Sequence, residues 1–219
     1  MLALRSLIRE TWGTILRTVA DAVRSLIGIY EDMTTVRPLK LCVPSALGVL
    51  FATLFVGAAA MADTLSVPDE YATIQSAIDA STGGDVIEIA AGTYQERLTI
   101  TDVTVTIRAK AAGDGAKGDY ESVIIDATQS GRLLYITGNN KQVSLIGLTL
   151  TNGSGSSGAG VFVSQASLIL TDCTISSNVS SGSGGGVYLS NTSSLSASGT
   201  TFQSNHASKG GGLFADSAC

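Results

Sequence analysis

The chain has 219 residues, with 13 basic against 18 acidic side chains, one histidine and a formal net charge of −5. No basic stripe is present, which excludes nucleic acid as a partner. The charge is also unevenly spread: residues 142–208 carry one charged side chain, Asp172, so hydroxyls and amides must solvate most of that surface.

In chain order, residues 1–32 place Leu4, Leu7, Ile8, Trp12, Ile15, Leu16 and Val19 at helical spacing. They read either as an amphipathic helix or as an upstream segment assigned to the wrong start, with Met33 as the true one. Leu41 to Ala62 are 22 uncharged, mostly apolar positions, preceded by Arg37 and Lys40 and closed by Ala60-Met61-Ala62. Residues 33–62 therefore read as a secretory signal peptide with a small-x-small cleavage site, leaving Asp63 as the new N-terminus. An uncleaved membrane anchor is the alternative, since 22 residues can span a bilayer. Residues 63–219 are long enough for one domain with its own core.

The segment YATIQSAIDASTGG puts Ile74, Ala77 and Ile78 on one helical face and ends in Gly83-Gly84, a helix stop. Short apolar alternations follow at 85–94, 97–100, 103–109, 122–127, 132–137 and 143–150, all with strand character. From there a repeat sets in. GAGVFV at 158–163, GGGVYL at 184–189 and GGGLFA at 210–215 are 26 residues apart, and SLILTDCTISSN answers SLSASGTTFQSN. That correspondence stacks Leu168 on Leu195, Leu170 on Ala197 and Ile175 on Phe202.

A repeat of this length signals a solenoid, and with period-2 strands it predicts a right-handed parallel β-helix of about five rungs. The short helix caps its open end. Glycines such as Gly186 and Gly212 are expected to supply turns with positive φ. Asn152, Asn178 and Asn205, spaced 26 and 27, are expected to bond the backbone of their own and the next rung. Cys173, within LTDCTISSN, reads as a small buried hydrophobe, while Cys42 leaves with the signal and Cys219 gives only weak grounds for a disulfide.

Residues 67–100, with the helix TIQSAIDA and the turn GTYQE, resemble the entry segment of the pectin-lyase-like superfamily of right-handed β-helices. Residues 158–214 resemble the repeats of chlamydial polymorphic outer membrane proteins. Gly184 to Val187, Gly210 to Leu213 and Phe202-Gln203-Ser204-Asn205 correspond to that family's GGA-I and FxxN. The resemblance implies an exported coil displayed at the outer membrane surface, in that family through a C-terminal barrel. The catalytic constellations of pectin methylesterases, pectate lyases and polygalacturonases are not found in this sequence. His206, in the turn after FQSN, reads as a solvated turn residue.

Phe162, Tyr188 and Phe214 fall at equivalent outward positions on successive rungs. They read as a ladder that either stabilises the coil or stacks against sugar rings. Arg108 and the charged excursion KAAGDGAKGDYE at 110–121 form a second candidate ligand region. The spacing of Asp114, Asp119 and Glu121 matches no established calcium loop, so no metal and no cofactor is expected. The functional expectation is a non-catalytic adhesion and interaction module of the cell surface or extracellular space, with polysaccharide or cell-surface glycan as the partner class. The alternative is a polysaccharide lyase or esterase whose catalytic rungs are missing from this chain. The last rung stops after one strand, so the reading frame looks incomplete at Cys219. Residues 63–219 alone are expected to self-associate through that uncapped edge.

Overall fold

The computed structural model describes residues 62–111, 120 and 122–216. The expected upstream segment or helix at 1–32, the expected signal peptide at 33–62 apart from Ala62, the acidic trio Asp114, Asp119 and Glu121, and Cys219 lie outside them.

Three parallel strand stacks wind into a right-handed β-solenoid of about six turns. The first face runs β1 (Thr64–Val67), β2 (Val86–Ile89), β5 (Val105–Ala109), the second half of β7 (Leu134–Ile146), the second half of β10 (Val161–Thr171) and β14 (Ser194–Ser198). The second face is β3 (Gly92–Tyr94), β6 (Val123–Asp126), β8 (Leu148–Thr151), β11 (Thr174–Ser176) and β15 (Thr201–Gln203). The third face joins β4 (Leu98–Thr101) to the first halves of β7 and β10, then β13 (Val187–Ser190) and β16 (Leu213–Ala215). A short extra pair, β9 (Ser154–Ser157) and β12 (Val179–Ser183), fills one corner.

Period-2 alternation sends every second side chain inward, and parallel in-register pairing lays like on like about 4.8 Å apart. Leu65, Ile87, Ile107, Leu145 and Leu170 make one buried row; Leu98, Leu134, Val161 and Val187 make another. Leu168 pairs with Leu195, Leu170 with Ala197 and Ile175 with Phe202, the register expected from the repeat.

The single described helix, α1 (Ile74–Ala80), buries Ile74, Ala77 and Ile78 over the first turn. Its start is fixed twice. Thr73 and Ser76 form a capping box, and the Glu96 carboxylate accepts from the amides of Ile74 and Gln75, both at 3.0 Å. That carboxylate sits where the helix dipole is positive, which gives the GTYQE turn a structural task. The helix ends at Ala80 with an extended Ser81, short of the glycine pair. Thr82 is instead bound by Asp85, so the backbone leaves the helix before Gly83 and Gly84.

Two expectations about turns are corrected. Only the first glycine of each triplet has positive φ: Gly158 at 58°, Gly184 at 64° and Gly210 at 59°. The later ones are required by close approach, since a Cβ on Gly160 would lie 2.5 Å from the Gly186 carbonyl oxygen, and one on Gly186 the same distance from that of Gly212. Gly212 has only Phe202 beyond 3.4 Å, so its own constraint is weak. Asn152 is not the partner of Asn178. Val179 pairs with Ser154, which places Gly153 beside Asn178. Asn152 occupies the left-handed corner (φ 58°) shared with Ser177 (φ 56°) and Ser204 (φ 54°), and its amide donates to Asp126 at 3.0 Å.

Asn178 and Asn205 form an amide ladder inside the turn. Asn178 Oδ1 accepts from the Gly153 amide at 2.7 Å, and its Nδ2 donates to Leu150 O and to Asn205 Oδ1. Asn205 Nδ2 donates in turn to Ile175 O at 2.8 Å. Cys173 is buried and its thiol donates to Leu145 O; burial pushes that thiol above its ordinary pKa.

Candidate functional site

The third face carries the most distinctive outward chemistry. One-to-one pairing aligns Thr99, Tyr135, Phe162, Tyr188 and Phe214 in a single row. The four rings stack in parallel, with centroids 5.4, 5.2 and 5.4 Å apart and interplanar angles of 17°, 8° and 19°. Tyr135 extends the ladder by one rung beyond the three aromatics expected. Its signal was available, because GRLLYI aligns with GAGVFV at a spacing of 27, although no glycine pair precedes it.

Arg132 locks the ladder from the corner. Its Nη2 donates to Ser157 O at 2.8 Å and its Nε to Gly158 O at 3.1 Å, while the guanidinium lies 4.5 Å from the Phe162 centroid and 5.5 Å from that of Tyr135. Half-burial draws its pKa below the ordinary arginine value, with Tyr135 acting in the opposite sense. Sequence patterning gave no hint of this residue, since its partners are backbone carbonyls from the following rung.

The stacking decides what the ladder can do. A sugar ring binds an aromatic side chain through the face of the ring, and the faces of Phe162 and Tyr188 are spent on their neighbours. Solvent meets their edges. Two positions further along each strand the register aligns Thr101, Thr137, Ser164 and Ser190, of which Thr101 is exposed and Thr137 half-buried, while Ser164 and Ser190 are buried.

At the start of the same face a cleft of about 360 Å³ opens between α1 and β4. Gln75 holds the two together as a strand would: its Nε2 donates to Thr99 O at 3.0 Å and its Oε1 accepts from the Thr99 amide at 2.8 Å. Ile78 and Val103 form an apolar floor, and Asp79, Thr99 and Thr101 present oxygens at the rim.

Arg108 lies elsewhere. It projects from β5 on the first face, where its guanidinium pairs with Glu88 at 2.9 Å, and the structure does not bring it to the ladder. His206 is exposed in the corner beside Val179. Among the described residues no three of His, Cys, Asp and Glu converge as metal ligands. Comparison with family models, curated proteins and solved structures finds no match.

Proposed function

We propose that this chain is an exported, non-catalytic β-helix that acts as an adhesion and interaction module of the cell surface or extracellular space. The observation that carries the reading is the start of the third face, where the cleft between α1 and β4 leaves Asp79, Thr99 and Thr101 exposed beside an edge-on aromatic row of one residue per rung. A surface that repeats along the coil suits a partner that repeats along its own length. Uncharged hydroxyls favour a hydroxylated polymer, a polysaccharide or cell-surface glycan, over a polyelectrolyte. The sequence resemblance to polymorphic outer membrane protein repeats and to pectin-lyase-like entry segments supports the same reading.

The test is retention of the exported protein on immobilised polysaccharides, pectin and alginate included, with and without calcium, while the eluate is assayed for released product. Retention without product is expected. Thr101→Val, which removes a cleft hydroxyl but keeps the shape, should weaken retention without lowering the melting temperature. Product release would replace the proposal by a lyase or esterase, and absence of retention on every glycan would discard the partner class.

A further inference from the structure

Asp85 is a buried carboxylate, 4% exposed, at the entry to β2. Its Oδ2 accepts from the Thr82 amide at 2.7 Å and the Thr82 hydroxyl at 3.0 Å, and its Oδ1 accepts from the backbone nitrogen of Asp63 at 2.9 Å. All three donors are neutral. A covered carboxylate gains from a cationic donor, because a charge-assisted hydrogen bond is stronger than a neutral one, and the group at Oδ1 is the one nitrogen among the three donors that export would convert into a cation.

Asp63 is the residue that the Ala60-Met61-Ala62 motif makes the first of the processed chain. Two independent observations, a cleavage motif in the sequence and a buried acid in the fold, thus meet at the same peptide bond. We propose that the Ala62–Asp63 bond is a processing site, and that Asp85 is the receptor for the α-ammonium group that cleavage creates. The inference rests on the export reading above. Hydrolysis by a signal peptidase adds one water across the bond: Ala62 leaves as a carboxylate with the leader, and the nitrogen stays on Asp63 and takes up a proton. An amide donor with one hydrogen becomes an ammonium with three, and a neutral hydrogen bond becomes charge-assisted.

The geometry needs no rearrangement. Ala62 and Asp63 are exposed, so the bond is open to a peptidase. Asp63 is already held on its other side, where its carbonyl accepts from the Val86 amide at 2.8 Å and β1 pairs with β2 from Thr64 onward. The titratable groups on the surrounding elements are the carboxylate of Asp63, which accepts from the Thr64 amide, Asp79 on α1, held by Gln75, and the Glu88–Arg108 pair further along β2 and β5. Among the described residues, none of these but the Asp63 carboxylate belongs to the residue that bears the amine.

The pH dependence follows in sign. The Asp63 and Thr82 amides hold Asp85 below the usual carboxylate range, so its contribution is present above about pH 3.9 and is lost as pH falls through the depressed value. The new ammonium is raised by Asp85 above the usual α-amino value of about 7.7–8.0, so its contribution is complete below that value and lost as pH rises through the raised one. The unprocessed chain has the acid limb only.

The experiment compares the full chain exported and processed by a host with the full chain retained unprocessed. Intact mass and N-terminal sequencing locate the first residue, and the rate of α-amine acylation is measured against pH. Asp63 at the N-terminus is expected, with an amine that titrates at least one pH unit above an unstructured peptide of the same first residues and reacts about tenfold more slowly at neutral pH. Asp85→Asn should restore ordinary reactivity; should that variant not fold, the wild-type titration alone decides. A first residue other than Asp63 overturns the processing reading and this inference together. Asp63 at the N-terminus with an amine that titrates like the peptide overturns the capture by Asp85 and leaves export standing.

Discussion

Asn178→Ala is the most direct probe of the amide ladder. The side chain is fully buried and makes three hydrogen bonds, two of them to backbone groups with no route to water, the Gly153 amide and the Leu150 carbonyl. A buried group left without its partner costs about 1–3 kcal/mol. Two such groups put the loss at about 2–6 kcal/mol, a large share of the roughly 5–15 kcal/mol that holds a domain together. Asn205 sits one rung along and is itself half-buried, although its partners Asn178 and Ile175 are buried, so Asn205→Ala should cost about 1–3 kcal/mol. Asn152→Ala removes one bond to Asp126 at a half-buried corner and should cost about 1 kcal/mol or less. Urea denaturation followed by far-ultraviolet circular dichroism measures all three through their midpoints. If Asn178→Ala proves no more costly than Asn152→Ala, the reading of the ladder as a buried, self-satisfied network is wrong.

Gly160→Ala drives a Cβ to 2.5 Å from the Gly186 carbonyl oxygen and should cost about 1–3 kcal/mol, whereas Gly155→Ala meets nothing closer than 3.9 Å and should be nearly neutral; their melting temperatures compare the two. Tyr188→Ala breaks two ring stacks and Phe214→Ala one, so at about 0.5–1.5 kcal/mol per stack the first should lower stability about twice as much; equal losses would mean that the stacks contribute little beyond burial. Cys173 should resist thiol reagents in the native protein at pH 8 and react only at the unfolding rate, which peptide mapping would follow, because burial and its bond to Leu145 O keep it a thiol.

How far the sequence reveals this fold depends on where along the chain one looks. From residue 158 onward the repeat is strict, and alignment alone stacks Phe162 on Tyr188 and Ile175 on Phe202, because parallel in-register pairing turns a sequence period directly into a spatial one. Earlier, Ile87 pairs with Ile107 and Ile107 with Leu145, intervals of 20 and 38 residues, so strand character is visible but the assignment of strands to faces is not. The turn chemistry was obscured for a different reason. An interval of 26 joins Asn152 to Asn178 in sequence, while the coil pairs Gly153 with Asn178 because that rung is one residue shorter. The second and third glycines of a triplet answer to a carbonyl on the next rung, a non-local cause that local turn rules do not contain. Arg132 escaped notice on the same ground, since its partners are carbonyls 25 and 26 residues away, and so did the contact of Asp85 with the Asp63 nitrogen, 22 residues away.

The stacked rows also bear on where recognition can occur. In a regular coil each outward row tends to satisfy itself: aromatic faces meet aromatic faces, Asn178 meets Asn205, the Ser194 hydroxyl donates to that of Ser167 at 2.8 Å, and the Asn191 amide donates to the Ser164 hydroxyl at 3.1 Å. The same repetition that stabilises the solenoid therefore removes donors, acceptors and ring faces from the surface available to a partner. Specific binding groups survive where the repetition breaks. On the third face that break is the junction with α1, where Gln75 stands in for a missing strand and leaves Asp79, Thr99 and Thr101 around an apolar floor. If this is right, Thr101→Val should reduce glycan retention more than Tyr188→Ala does, while the order for thermal stability is the reverse; a ladder that dominated retention would show the two orders agreeing.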